Sequence, residues 1–183
     1  MSSRDEVIST ARRMLALGLV SGTFGNVSRR LGEWILITPS GLDYETMRPE
    51  DLVLLDSSGE VVESDRPPSS EFRLHLEVYR RLPDVSAIVH THSRCAVAYG
   101  DSKDELVASN DKALRRRVPV APFHPSGTQD LADGAADLLV KRKANAVILR
   151  GHGVVGVGRD LDEALNVCCS VERMTERLSD ASG

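Results

Sequence analysis

The 183-residue sequence has no apolar run approaching the ~20 residues of a membrane span. Met1 to Glu6 are polar and mixed in charge, and no signal-peptide core follows them. Cysteine is scarce. Cys95 stands alone, and Cys168 and Cys169 are neighbours on an expected helix that are poorly placed to pair, so no disulfide framework is expected. Together these shortages point to a reducing, cytoplasmic setting. Basic charge is short as well, with 23 Lys and Arg against 27 Asp and Glu, a net charge of −4. That balance argues against a nucleic-acid-binding surface. There is no Walker loop, dinucleotide fingerprint, internal repeat or low-complexity segment, so nothing calls for a nucleotide.

What remains is an ordinary globular composition, 41% hydrophobic and 27% charged. The length suits one domain over residues 1–183, which hides roughly 70% of its unfolded surface without disulfide staples.

Ser3 and Glu6 have capping-box spacing, and Val7, Ile8, Ala11, Met14 and Leu15 repeat at helical period up to Gly18. Val27 to Leu31 and Trp34 to Thr38 read as strands around a turn at Gly32, and Leu52 to Leu55 and Val61-Val62 as two more. After Pro67-Pro68, Ser69 or Ser70 is expected to cap a helix running to about Arg81. Ala87 to Thr91 is a strand. The polar stretch from Gly100 to Arg117 reads as a short surface helix or a loop. Val118 to Ala121, Ala146 to Leu149 and Val154 to Val157 are strands, Thr128 opens a helix, and a last helix follows the Asp160 and Glu163 pair. Interleaved strands and helices, with hairpins among the strands, predict an α/β fold: a mixed sheet covered on both faces.

Five histidines are present. His90 and His92 stand two apart at a strand end, so they leave on one face and can reach one metal ion. A hydrogen-bonded pair at a sheet rim fits the same spacing. His152 lies between Gly151 and Gly153, which taken alone is a hairpin turn. Three neutral imidazoles on one divalent ion would leave a coordination position open, as in catalytic zinc sites. His75, four residues after Glu71, reads with that carboxylate as a hydrogen-bonded or solvated pair on one helix face, and His124 as a surface or rim residue.

Three polar turns, Gly22-Thr23-Phe24-Gly25-Asn26, Thr38-Pro39-Ser40-Gly41 and Ser69-Ser70, offer hydroxyl, amide and backbone N–H donors. Each is explained alone by turn chemistry; the third also opens a helix, whose N-terminus favours an anion. Glu71 follows the serines, either as a partner of the helix dipole or, beside a metal, as a ligand or proton carrier.

In this order, Gly-Thr-Phe-Gly-Asn26-Val-Ser, Ile-Thr-Pro-Ser40-Gly41, Pro-Ser69-Ser70-Glu71, His90-Thr-His92 and Gly-His152-Gly resemble the class II sugar-phosphate aldolases of the fuculose-phosphate aldolase type. Their superfamily also contains ribulose-phosphate 4-epimerase and the adducin head. The resemblance spans about Val7 to Leu178. It implies a three-layer α/β/α sandwich around a mixed, largely antiparallel sheet. It implies a homotetramer with active sites between subunits. Zinc, or another divalent metal, would be held by His90, His92 and His152, with Glu71 as exchangeable fourth ligand and general base. Asn26, Ser40, Gly41, Ser69 and Ser70 would bind the substrate phosphate.

The implied reaction is reversible cleavage of a ketose 1-phosphate to dihydroxyacetone phosphate and an aldehyde, through a metal-stabilised enediolate. Relatives on the same scaffold epimerise a pentulose phosphate, dehydrate a methylthioribulose phosphate or decarboxylate a sugar-acid phosphate. An adducin-like interaction module would lack the metal ligands that this chain keeps. The family's tyrosine in the segment after the His-x-His pair has no counterpart between Gly100 and Arg117. The proton donor to the leaving aldehyde is thus unassigned, with His124 as the alternative.

Overall fold

The computed structural model describes residues 2–108 and 110–181; Met1 of the polar N-terminal segment lies outside them. In chain order the elements are α1 (Ser3–Ala16), β1 (Asn26–Leu31), β2 (Trp34–Ile37), β3 (Val53–Leu55), β4 (Val61–Glu63), α2 (Phe72–Arg81), β5 (Ala87–Thr91), α3 (Arg94–Ser102), β6 (Glu105–Val107), β7 (Arg117–Ala121), α4 (Gln129–Arg142), β8 (Ala146–Leu149), β9 (Gly153–Gly158) and α5 (Leu161–Asp180). The strands form one sheet in the order β4-β3-β2-β1-β5-β9-β8-β7-β6. Only the β7–β8 pair is parallel among the described residues. The expected three-layer sandwich with a largely antiparallel sheet is therefore the observed fold.

Alternation along the strands sorts the core into two apolar layers. Val27, Leu36, Val89, Ile148 and Val154 pack against α1, α3 and α5. Ile35, Ile37, Ile88, Val147 and Val155 pack against α2 and α4. Strand β1 breaks this rule on its α2 face, where it buries Asn26 and Ser28 instead of apolar side chains.

Three local expectations are corrected. The capping box of α1 uses Ser2 and Asp5, one residue earlier than Ser3 and Glu6, because Ser2 holds the extended backbone a cap needs. Neither Ser69 nor Ser70 caps α2; Glu71 occupies that position, without a side-chain cap bond. The segment from Gly100 to Arg117 holds the end of α3, all of edge strand β6 and the start of β7. Helix α3 escaped the periodicity because its buried positions are small, Ala96 and Gly100. Its N-terminus is instead fixed from α5, where the Glu172 carboxylate accepts from the backbone N–H groups of Cys95 and Ala96, both at 2.9 Å.

Strand β9 passes under α5 with almost no clearance. A Cβ on Gly156 would lie 2.7 Å from the Ala164 carbonyl oxygen and 2.7 Å from Cys168 Sγ. Gly156→Ala is therefore expected to overpack this face and to cost roughly 1–3 kcal/mol in urea unfolding. An unchanged unfolding midpoint would show that α5 can shift freely.

Candidate active site

The antiparallel order brings distant residues to one end of the sheet. Asn26, at the start of β1, pairs in register with His90, near the end of β5. His90 in turn faces Val155, just inside β9, which starts immediately after His152. His92 leaves β5 two residues later and is anchored by its own N–H on the Leu19 carbonyl oxygen at 3.1 Å. The Gly151-His152-Gly153 turn fits here because Gly153 has no side chain: a Cβ would stand 2.0 Å from the Thr91 carbonyl oxygen.

The three imidazoles form a nearly equilateral group, with every pair of ring centroids 4.9 Å apart. Their ligand atoms and the Glu71 carboxylate all lie within 4.8 Å of one another. His90 Nε2 is 3.2 Å from His92 Nε2 and 3.1 Å from Glu71 Oε2, and His152 Nε2 is 3.1 Å from Glu71 Oε1. Ligands held about 2.0–2.1 Å from a tetrahedral ion lie about 3.3–3.4 Å from each other, so these spacings fit a three-histidine, one-carboxylate site. His90 Nδ1 donates to the Val154 carbonyl oxygen at 3.0 Å, which leaves Nε2 facing the cluster and available to an ion.

Glu71 is 4% exposed. Burial alone would raise its pKa, but the adjoining His90 and His152 imidazoles outweigh it and hold the carboxyl well below the usual carboxylate range. Burial works against the His90 cation, yet the Glu71 charge and hydrogen bond lift its pKa above the ordinary value. His92 is pulled down to about 3, first by burial and then by its two histidine neighbours. Two neutral donors complete the carboxylate's surroundings: Asn26 Nδ2 on Oε2 and Ser126 Oγ on Oε1, both at 3.0 Å.

The polar turns also converge. Ser69 N–H donates to the Thr38 carbonyl oxygen at 3.0 Å and Ser40 N–H to the Pro67 carbonyl oxygen at 3.1 Å, which ties the Ser40-Gly41 turn to the Ser69-Ser70 turn. Ser40, Gly41 and Ser70 are exposed, whereas Ser69 is buried with Oγ accepting from the Glu71 N–H at 3.3 Å. Asn26 is buried with its amide on Glu71 and His75. His75 does not bond Glu71 directly; its partners are Asn26 and Ser28, and Asn26 bridges it to the carboxylate. His124 is half-buried, its ring against Gly134 of α4. The tyrosine hydroxyls are engaged elsewhere, Tyr44 on the Gly25 carbonyl, Tyr79 on Ser28 and Tyr99 on the Glu105 carbonyl.

Sequence reasoning passed over Ser126 and Phe24. Ser126 sits in a Pro-Ser-Gly turn that gives no sign of its long-range partner. Phe24, inside the first polar turn, stacks on His92 with centroids 5.3 Å apart.

Known proteins share this sequence pattern and fold. Residues 5–178 match the family model described as Class II Aldolase and Adducin N-terminal domain. A 5-deoxy-D-ribulose 1-phosphate aldolase of Bacillus thuringiensis serovar kurstaki is 37% identical over 173 residues, covering 92% of this chain and 80% of the relative. An L-fuculose phosphate aldolase of Escherichia coli strain K12 is 34% identical over 174 residues, covering 93% and 80%. A solved L-fuculose 1-phosphate aldolase superposes with a TM-score of 0.93 at 32% identity, over 100% of this chain and 88% of that one.

His92→Ala is expected to abolish tight binding of a divalent cation, measured by equilibrium dialysis. The Glu71 carboxylate lifts the His90 pKa, so a cation and a proton compete for this ring, and affinity should fall as pH is lowered, with proton release on uptake. Calorimetry in buffers of different protonation enthalpy checks this; uptake without proton release would mean that His90 is neutral.

Proposed function

Because this chain belongs to the class II aldolase and adducin family, and so to the metal-dependent aldehyde-lyases, we propose that it is a zinc-dependent aldolase that cleaves a ketose 1-phosphate reversibly into dihydroxyacetone phosphate and an aldehyde. The observation that carries this reading is the group of three imidazoles and one ionised carboxylate at mutual ligand spacing. The two relatives named above are an aldolase of 5-deoxy-D-ribulose 1-phosphate and one of L-fuculose phosphate, which supports a phosphorylated ketose as substrate. Zinc suits imidazole nitrogen and carboxylate oxygen in a four-ligand set.

His90, His92 and His152 would hold the ion, with Glu71 as the exchangeable fourth ligand. When bound, the ion supplies Lewis acidity that stabilises the negative charge left by carbon–carbon cleavage. The residues of the chain do the rest. Ser40, Gly41, Ser69 and Ser70 bind the substrate phosphate and so fix the reacting carbons relative to Glu71. Asn26 joins them through the second N–H of its amide, while the first stays on Glu71 Oε2. Glu71, ionised and set beside the three imidazoles, is the general base. In synthesis one of its oxygens takes the proton from the carbon beside the dihydroxyacetone phosphate carbonyl, and in cleavage it returns that proton.

Residues 1–183 are read as one class II aldolase/adducin-like domain, working in the cytoplasm as a homotetramer. Two exposed aromatics beside the histidines support a subunit boundary there. Phe24, 58% exposed, lies on His92, and Phe123, 63% exposed, lies beside Gly151.

The direct test is a product assay on zinc-loaded protein with a panel of ketose 1-phosphates. Release of dihydroxyacetone phosphate supports the reading. An epimerised, dehydrated or decarboxylated product in its place would overturn it. Glu71→Gln is expected to keep zinc but lose turnover by about 10²- to 10⁴-fold. Ser70→Ala should raise KM for the phosphorylated substrate while leaving kcat nearly unchanged. A wild-type rate in Glu71→Gln would remove the base assignment.

A further inference from the structure

Behind Glu71 and Asn26 lies a line of polar groups that the proposed reaction does not yet use. Tyr79 Oη is 2.8 Å from Ser28 Oγ, Ser28 Oγ is 2.6 Å from His75 Nδ1, and His75 Nε2 is 2.5 Å from Asn26 Oδ1. Asn26 Nδ2 then reaches Glu71 Oε2 at 3.0 Å. Ser28 and His75 are fully buried, Asn26 is 3% exposed and Tyr79 4% exposed. The line exists because two periodicities match. Alternate residues of a strand advance about 6.6 Å and fourth residues of a helix about 6.0 Å. Asn26 and Ser28 on β1 therefore stand opposite Glu71, His75 and Tyr79 on α2.

The direction of each bond follows from the acceptor at the end. An ionised carboxylate can only accept, so Asn26 must present its NH₂ group to Glu71 and its Oδ1 to His75. His75 must then carry its proton on Nε2 and accept at Nδ1. Ser28 must donate to that nitrogen and accept from the Tyr79 hydroxyl. Burial supports the same assignment: it pulls His75 down to about 3, which keeps the ring neutral, and pushes the Tyr79 hydroxyl up, which keeps its proton.

We propose that His75 is a positioning residue for the aldolase reaction, the central link of a one-way hydrogen-bond chain from Tyr79 through Ser28 and Asn26 that aims an N–H donor at Glu71 and fixes that carboxylate beside the three imidazoles. This inference rests on the reading of Glu71 as the proton-transferring group.

The test uses zinc-loaded wild-type, His75→Leu and His75→Gln proteins. In His75→Leu the donor to Asn26 is gone, so kcat should fall about 10- to 100-fold while the zinc content stays at the wild-type level. Glutamine carries an N–H at the position of Nε2, so His75→Gln should recover most of that loss. A wild-type kcat in His75→Leu would overturn the proposal. So would equal losses in both variants when both are folded by circular dichroism. Should His75→Leu fail to fold, Ser28→Ala takes its place, with a lowered kcat expected and an unchanged one overturning the proposal. A second measurement is independent of turnover. In ¹⁵N-histidine spectra of the wild-type protein, with the His75 signal assigned by its absence from His75→Gln, the ring should be neutral and protonated on Nε2. Protonation on Nδ1, or on both nitrogens, would break the chain of donors. A wild-type enzyme that releases no dihydroxyacetone phosphate would defeat the reading of Glu71 instead, and the tautomer would still decide the chain.

Discussion

An ionised carboxylate that is only 4% exposed must be met by donors or by a cation, because an isolated buried charge is too costly to keep. Glu71 sets this condition, and much of the architecture around it answers it. Its two oxygens are served evenly. Oε2 faces His90 and Asn26, and Oε1 faces His152 and Ser126. These four partners come from β5, β1, the turn before β9 and the turn before α4. They are remote in sequence, and the antiparallel sheet order is what returns them to one place.

The same condition explains why β1 and α2 sacrifice apolar packing in the middle of the protein. Ser28 and His75 are fully buried where an all-apolar core would be simpler to build. They are tolerated because each is bonded on both sides, so the polar line is satisfied along its length. Further along the strand, Arg30 continues the match: its guanidinium lies over the Tyr79 ring at 4.8 Å and bonds the Tyr79 carbonyl of α2 and the Leu82 carbonyl just past its end. One face of one strand thus serves a helix from its cap to its C-terminus.

Much of this was legible in the sequence, and the reasons for what was not are physical. Strand alternation put His90 and His92 on one face, and the two glycines around His152 signalled a close approach, which is a contact with the Thr91 carbonyl. That the three histidines share a centre needed either the resemblance or the fold, since nothing local links residue 90 to residue 152. Ser126 could not be found from its turn, because its partner lies 55 positions away. The polar line did leave a trace. Asn26 and Ser28 at period two, with Glu71, His75 and Tyr79 at period four, are polar residues placed where a core face is expected. Read separately, each looks like a minor exception; only the pairing of β1 with α2 makes them one feature. Helix α3 is the opposite case, a packed element whose buried positions, Ala96 and Gly100, are small residues with no large apolar side chain to mark the core face.

The division of partners around Glu71 also bears on the proposed double role of this carboxylate as ligand and base. Its two imidazole neighbours are the groups a cation would claim, whereas Asn26 and Ser126 are neutral and have no call on it. A cation held by the histidines would therefore take only two of the four partners that hold the carboxylate. The two remaining donors, one on each oxygen at 3.0 Å, keep it at the edge of the cluster even when it is not a ligand. A tethered acid of this kind can leave the ion without leaving the site, which is what a group that must alternate between coordination and proton transfer requires. A direct ligand fixed only by the ion would lose its position each time substrate displaced it. On this argument, the neutral donors contribute as much to Glu71's usefulness as the histidines do, although no metal-binding pattern in the sequence includes them.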